Sequence, residues 1–526
     1  MASLPPVFAG EAVSNFRRWF ERYQRGRVDL YAQVKSGFRT GPGGAGGTGG
    51  VSSHASYFRT EGVDHLKALL DATVAEGGEP AARALFEAAI YRADREPARE
   101  RAEAVRRQPW LVRRLATEAL FRLQDPRINE WLETTQLHAN SPVDGVDRRV
   151  VAARVLGRHG DRESTVPLLD ALRDPSRIVR IAATRALGDL GDPLAIFPLI
   201  DLLDDPDELV RLEALLSLDR VIGPEPDTSQ VEFLLGAARK ALEDRSWPVR
   251  LVAADVLAKH PSDQSLPALI GALRAEAPGQ EGTRRRVRSA LRATLGALTG
   301  VDFPSFRPED WAAWWERTQE DFQISTEGLA EVAPEQGARF FGIPLESDVV
   351  IFLLDISGSM NQPVSGDPDG PVRLFIALRE TRRSLEALED GTLFNIVLFN
   401  EGTHPFQDRL IEKNEAALKA VAEFLGSIEA EGGTDLCGAL DDVLDLSSVQ
   451  PAPGEGSQDL DTLVVLTDGM PSRGAVLIPD EILHQVSEAN RTKRVAIHTV
   501  DAGGSSAEFL ERLARENFGR SRALRN

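Results

Sequence analysis

The sequence predicts a multidomain protein, with an N-terminal all-α solenoid of stacked helical repeats followed by a C-terminal α/β domain with a doubly wound sheet. Three observations carry this prediction. An arginine-led helical motif recurs at steps of 31 residues. From Ser347 onward the pattern changes to short, continuous apolar runs alternating with helical segments. The chain, at 526 residues, is too long for a single hydrophobic core, and about two to four domains are expected.

Apolar residues make up 42% and charged residues 27%, the balance of a globular protein. The formal net charge of −20 is unevenly spread. Residues 341–526 carry 16 basic against 31 acidic side chains, whereas residues 1–340 carry 45 against 50. The C-terminal part therefore repels nucleic acid and anionic membranes and attracts cations. Cys437 is the single cysteine, so an intramolecular disulfide is excluded. The N-terminus has neither a basic nor a continuous apolar signal region, and no run of about 18 apolar residues is present. A cytoplasmic protein without a membrane span is expected.

Residues 1–61 are read as a helical segment and a linker. Residues 11–38 carry Phe16, Trp19, Phe20, Tyr23 and Tyr31 on a helical pattern, and GPGGAGGTGG at 41–50 interrupts it. So dense a glycine run loses too much backbone entropy on ordering to form a helix or strand.

Residues 62–320 are helical throughout. Arg149-VVAARVLG is followed by Arg180-IAATRALG, then by Val210-Arg211-LEALLSL, each 31 residues on. Val249-Arg250-LVAADVLA and Val287-Arg288-SALRATLG continue at spacings of 39 and 38. Shorter helices marked by Val166-Pro167, Phe197-Pro198 and Leu266-Pro267 lie between them. Asp174-Pro175 and Asp205-Pro206 open the turns, where Asp caps a helix and Pro fits its first turn. Each unit is a helix pair unable to cover its own apolar face, and stacking buries those faces. The pattern resembles HEAT repeats of the short bacterial type over about residues 110–300. The recurring arginine reads as structural, a partner for the turn aspartates. The basic run Thr283–Arg288 reads as a solvated helix start, with phosphate contact as the alternative. Trp311, Trp314 and Trp315 share a helix face that caps the last repeat. Residues 321–345 form a linker, with extended structure near Phe340-Phe341.

In residues 346–526, Val349–Leu354, Phe394–Phe399, Leu463–Leu466 and Val495–Val500 are the apolar runs of parallel strands buried on both faces. Helices are expected at about 372–389, 412–428, 435–446, 478–490 and 506–516. This alternation implies a Rossmann-like sheet whose ligand site lies at the carboxyl ends of its strands. Polar residues fall there: Asp355-Ile-Ser357-Gly-Ser359 after the first run, Gly432-Gly433-Thr434-Asp435 before a later helix, and Thr467-Asp468-Gly469 after another run. Together these segments resemble the metal ion-dependent adhesion site of the von Willebrand factor type A (VWA) family. The resemblance implies that Asp355, Ser357, Ser359, Thr434 and Asp468 hold a metal. Three hydroxyls and two carboxylates suit a hard divalent cation, Mg²⁺ or else Mn²⁺ or Ca²⁺, and the absence of His and Cys argues against zinc. Asp435 reads as a first-turn helix residue, Cys437 as a small helix-face residue, and Gly366–Gly370 as a turn with room for a weaker second cation site.

The resulting expectation is a non-enzymatic scaffold: the helical array and the metal each engage a protein, the metal by capturing a partner's carboxylate. No catalytic residue is assigned, since no general base or oxyanion hole accompanies the site. Intracellular VWA proteins often partner AAA+ ATPases, so the resemblance implies such an ATPase as a separate chain, no Walker motif being present. The alternative is an RNA-binding component similar to Ro ribonucleoproteins. Against it stands the near-neutral repeat region, and only Arg284–Arg288 favours it.

Overall fold

The computed structural model describes residues 11–24, 61–91, 103–142, 144–223, 228–277, 282–303, 307–324, 337–364, 370–445, 460–474, 476–503 and 506–524. The glycine run 41–50, Tyr31 and residues 366–369 of the candidate second cation site lie outside these. The chain parts into two compact units, one ending at His159 and the other beginning at Gly160. Among the described residues no helix is long and apolar enough to cross a membrane.

The first unit is helical: α1 (Glu11–Gln24), α2 (Glu61–Glu76), α3 (Gly78–Ala89), α4 (Glu103–Phe121), α5 (Pro126–Trp131) and α6 (Gly145–His159). Phe16, Trp19, Phe20 and Tyr23 follow the i, i+3, i+4, i+7 spacing of one helix face, and all four are buried. Tyr91 closes this cluster edge-on to Phe20, with ring centroids 5.4 Å apart. Phe16, Trp19, Phe20 and Tyr23 are therefore core.

The second unit opens with α7 (Thr165–Ala171), α8 (Arg177–Leu190), α9 (Ile196–Asp201), α10 (Glu208–Ile222), α11 (Thr228–Ala241), α12 (Trp247–Lys259), α13 (Leu266–Ala275), α14 (Arg285–Thr299) and α15 (Pro308–Thr318). The recurring arginine has the structural role expected of it. Arg180 donates to the carbonyl of Asp174 in its own turn at 3.0 Å and forks onto the Asp205 carboxylate of the next turn at 2.9 and 3.1 Å. Arg211 repeats this with the Asp205 carbonyl at 3.0 Å and the Asp244 carboxylate at 2.7 and 2.8 Å. Arg250 follows with the Asp244 carbonyl at 2.8 Å and Glu276 at 2.6 Å. The turn aspartates are engaged twice, because Asp174, Asp205 and Asp244 also accept from the amides of Ser176, Asp207 and Ser246. One side chain thus shapes a turn and bolts it to the preceding repeat. The array ends where α15 buries Trp311 fully, with Phe303 edge-on at 4.8 Å.

The α/β fold begins earlier than the linker expected over 321–345 allows. Strands β1 (Arg339–Phe340) and β2 (Ile343–Pro344) form a hairpin whose two loop residues, Phe341 and Gly342, have φ of 46° and 81°. Positive φ at both positions matches the twist of a two-residue hairpin. Phe340 is fully buried against Phe352, so this segment belongs to the α/β core. The main elements follow as β3 (Val349–Asp355), α16 (Arg373–Ala387), β4 (Leu393–Phe399), β5 (Thr403–Pro405), β6 (Ile411–Glu412), α17 (Glu415–Leu425), α18 (Leu436–Leu444), β7 (Thr462–Thr467), α19 (Pro479–Lys493), β8 (Ala496–Asp501), α20 (Ala507–Glu516) and β9 (Ser521–Ala523). The sheet order is β5-β4-β3-β7-β8-β9, parallel from β4 through β9, with β5 and β6 antiparallel to β4. Val350, Phe352 and Leu354 face one apolar layer and Val349 and Leu353 the other, which is why β3 reads as a continuous apolar run. Because β4 and β7 flank β3 on opposite sides, the topological switch lies at the carboxyl end of β3, beyond Asp355.

Within the second unit, the repeats hold the opposite end of this sheet. Arg285 pairs with Asp348 just before β3 and, at 2.7 Å, with Glu389 before β4. Arg286 donates to the carbonyl of Asp461 before β7 at 2.8 Å and to that of Arg494 before β8. Burial lowers the Arg286 pKa to about 10. The basic run read as a solvated helix start is therefore an internal docking element. Further along, Arg185 forks onto Glu488 at 2.7 and 2.8 Å, Arg491 onto Glu213 at 3.0 and 2.7 Å, and Arg494 pairs with Asp255. Glu213 is 1% exposed and also receives Arg220 at 3.0 Å. Glu213→Gln would leave Arg491 without its counter-charge and Arg220 with only that of Asp189, at a cost on the order of 3 kcal/mol. Urea denaturation should show that loss, whereas Arg382→Ala, which breaks the exposed pair with Glu386 at 2.8 Å, should cost less than about 1 kcal/mol. Equal losses would show that the buried network does not fasten the repeats to the α/β domain.

Candidate metal centre

Asp355 ends the central strand β3 and is fully buried. Its Oδ1 accepts the Ser357 amide at 2.7 Å, turning the chain back over the strand end, and its Oδ2 accepts the Thr467 hydroxyl at 2.5 Å. Thr467 ends β7, the neighbour of β3, so strand pairing delivers Asp468 to the same place. The Ser357 and Ser359 hydroxyls lie 3.1 Å apart, and Ser359 donates to Asp468 Oδ1 at 2.7 Å. Asp355, Ser357 and Asp468 are buried, while Ser359 is half-buried beside exposed Gly358 and Gly432. The cluster therefore opens to solvent on that side.

Thr434 is brought in by backbone contacts. The Gly358 amide donates to the Gly432 carbonyl at 3.1 Å, and the Glu431 amide to the Ile356 carbonyl at 2.8 Å, zipping the two loops together. Gly432 has φ +79°, and a Cβ on Gly433 would lie 2.6 Å from Arg473 Cγ, so this turn needs both glycines. The loop after β7 clamps Thr434 itself: Ser472 Oγ accepts its amide at 3.0 Å, and its carbonyl accepts the Ser472 and Arg473 amides at 2.9 and 3.1 Å. Asp435 is the N-cap of α18, accepting the Gly438 amide at 2.8 Å, which places it one position outside the first helical turn where the sequence set it. Cys437 is buried on that helix, 3.6 Å from Gln485 Oε1.

Sequence reasoning missed two residues here. Thr467 sits inside a segment it had singled out, and its hydroxyl is the partner of Asp355. Arg373, the first residue of α16, reaches Asp468 Oδ2 at 2.5 Å and the Gly503 carbonyl at 2.6 Å. Nothing local signals it, because its contact spans 95 residues.

Burial pushes the Asp355 carboxyl up to about 6; hydrogen bonds from Thr467 and Ser357 oppose the rise, and the nearby Asp468 charge adds to it. Two acids and two hydroxyls converging at one strand end, all oxygen donors, fit a hard cation such as Mg²⁺. Among the described residues there is no group of three or more His, Cys, Asp or Glu placed to hold a metal, so the hydroxyls are needed to complete any donor set.

Residues 348–523 match the model of the von Willebrand factor type A domain, and residues 144–219 that of HEAT repeats. The chain carries a VWA domain behind HEAT repeats. It is 30% identical over 185 residues to human von Willebrand factor A domain-containing protein 3A, covering 35% of this chain and 14% of that protein. It is also 30% identical over 178 residues to human inter-alpha-trypsin inhibitor heavy chain H1, covering 33% and 18%. The chain thus spans less than a fifth of the length of these relatives. Among solved structures, it is similar to a von Willebrand factor type A protein from Catenulispora acidiphila, at 19% identity and a TM-score of 0.26, covering 34% of this chain and 38% of that one. VWA and HEAT domains together point to a protein-interaction module.

The buried Asp355 makes a pH-dependent prediction for the cation-free protein. Its carboxyl is raised from 3.8 to about 6 on folding, so the fold bears no penalty below about pH 4 and an increasing one as pH rises through about 6. The penalty levels off at roughly 3 kcal/mol. In EDTA, Asp355→Asn, in which the Thr467 hydroxyl turns from donor to acceptor, should unfold at a higher temperature than wild type at pH 7.5. The gap should close toward pH 4. A gap independent of pH would remove Asp355 as a strained acid.

Proposed function

We propose that this protein is a non-enzymatic scaffold whose VWA domain holds Mg²⁺ through Asp355, Ser357, Ser359, Thr434 and Asp468, and through it captures an acidic side chain of a protein partner. The observation that supports this most strongly is the convergence of two buried carboxylates and the Ser357–Ser359 hydroxyls at one solvent-open strand end. Such a set carries little negative charge for a divalent cation, and its open side leaves room for an oxygen from outside. Mg²⁺ supplies Lewis-acid attraction for a partner's carboxylate there. The chain's own residues do the rest: Thr467 and the Ser357 amide hold Asp355, and Ser472 holds Thr434.

A non-catalytic role is part of this reading, and what supports it is that, among the described residues, Arg373 and Arg473 beside the cluster are paired, with Asp468 and, at 3.3 Å, with Glu401. The repeats present a second surface for a protein, and a separate AAA+ ATPase is one class of partner. The RNA alternative rested on Arg284–Arg288, and Arg285 and Arg286 of that run are spent on the base of the VWA sheet.

Isothermal titration of purified protein with MgCl₂ should give one site for wild type and none for Asp355→Ala. A pull-down from lysate should then lose the same partners on adding EDTA as on making Asp355→Ala. Recovery of unchanged partners in both cases would sink the metal-capture reading.

A further inference from the structure

Arg373 places a fixed positive charge within the candidate metal centre. It begins α16, and its backbone amide donates to the Gln362 carbonyl at 3.0 Å, anchoring the helix start to the loop that carries Ser357 and Ser359. Its side chain is 12% exposed and crosses to the loops after β7 and β8, donating to Asp468 Oδ2 at 2.5 Å and to the Gly503 carbonyl at 2.6 Å. Asp468 therefore has two faces: Oδ1 takes the Ser359 hydroxyl on the cluster side, and Oδ2 takes the guanidinium. The third acid at this end of the sheet, Asp501, is turned onto its own loop, accepting the Gly503 amide at 3.1 Å.

From this arrangement we infer that Arg373 is the built-in counter-ion of the centre: it neutralises Asp468 when no cation is bound and sets how tightly a cation is then held. The inference rests on the metal reading above. Two buried carboxylates side by side repel each other, and a guanidinium on one of them offsets that cost in the cation-free fold. The same charge repels an incoming cation, because it lies across a single carboxylate from the donor cluster in a poorly screened site. Arg373 therefore trades cation affinity for stability without the cation. It also leaves the loaded centre with a net positive charge, which favours an acidic ligand on the open side. It is a positioning residue acting through Asp468.

The test uses Mn²⁺ as the probe, read by electron paramagnetic resonance of the free ion, together with thermal unfolding in EDTA. Arg373→Gln should bind Mn²⁺ at least about fivefold more tightly than wild type, and should unfold at a lower temperature in EDTA. Arg373→Lys keeps the charge and should stay within about twofold of wild type in Mn²⁺ affinity, which a purely steric role for the guanidinium would not produce. If wild type binds Mn²⁺ and Arg373→Gln binds it equally or more weakly, the counter-ion role is overturned while the metal reading stands. If wild type and both variants bind no Mn²⁺, the metal reading falls and takes this inference with it.

Discussion

Asp355 is a carboxylate taken out of water at the end of the central strand, and the C-terminal domain is arranged around that cost. Burial alone raises the group toward neutrality. Thr467 and the Ser357 amide offset part of the penalty, and Asp468 adds to it. A sheet that places two acids at adjacent strand ends, then lines them with hydroxyls, creates a demand for positive charge. Arg373 meets part of that demand from within the chain, and the open side beside Ser359 leaves the rest to a cation.

The repeats obey a different economy of charge. Arg180, Arg211 and Arg250 pair with an acid of the next unit, Asp205, Asp244 and Glu276, so the array is stiffened by charged pairs as well as by apolar contact. Where the array meets the VWA domain it uses the same chemistry, through Arg185, Glu213, Asp255, Arg285 and Arg286. Those contacts fall at the amino ends of the strands and along the last turns of α19. The candidate metal centre lies at the carboxyl ends, one strand length away, or about 20 Å. These contacts of the second unit's repeats thus lie at the opposite end of the sheet from the site.

Much of this was legible in the sequence, for identifiable reasons. β3, β4, β7 and β8 are buried on both faces and read as unbroken apolar runs. β5, β6 and β9 are edge strands of two or three residues with little buried surface, so no periodicity marks them. Asp355, Ser357, Ser359 and Asp468 stood out because parallel strands deliver their polar residues directly after an apolar run, whereas Thr434, which precedes α18, stood out only through the resemblance of its segment to the VWA site. Arg373 did not, since its role depends on where α16 starts after a turn. Glu213 left a trace that went unused: an acid inside the apolar stripe LVRLEALLSL needs a buried partner, and Arg491 supplies it from 278 residues away.

Everything proposed for the VWA domain depends on these five residues forming one cation site. Anomalous diffraction from crystals grown with Mn²⁺ tests it most directly. A single strong peak is expected, enclosed by Asp355, Ser357, Ser359, Thr434 and Asp468, and absent from crystals of Asp355→Ala. A peak elsewhere on the VWA domain, or none at saturating Mn²⁺, would contradict it.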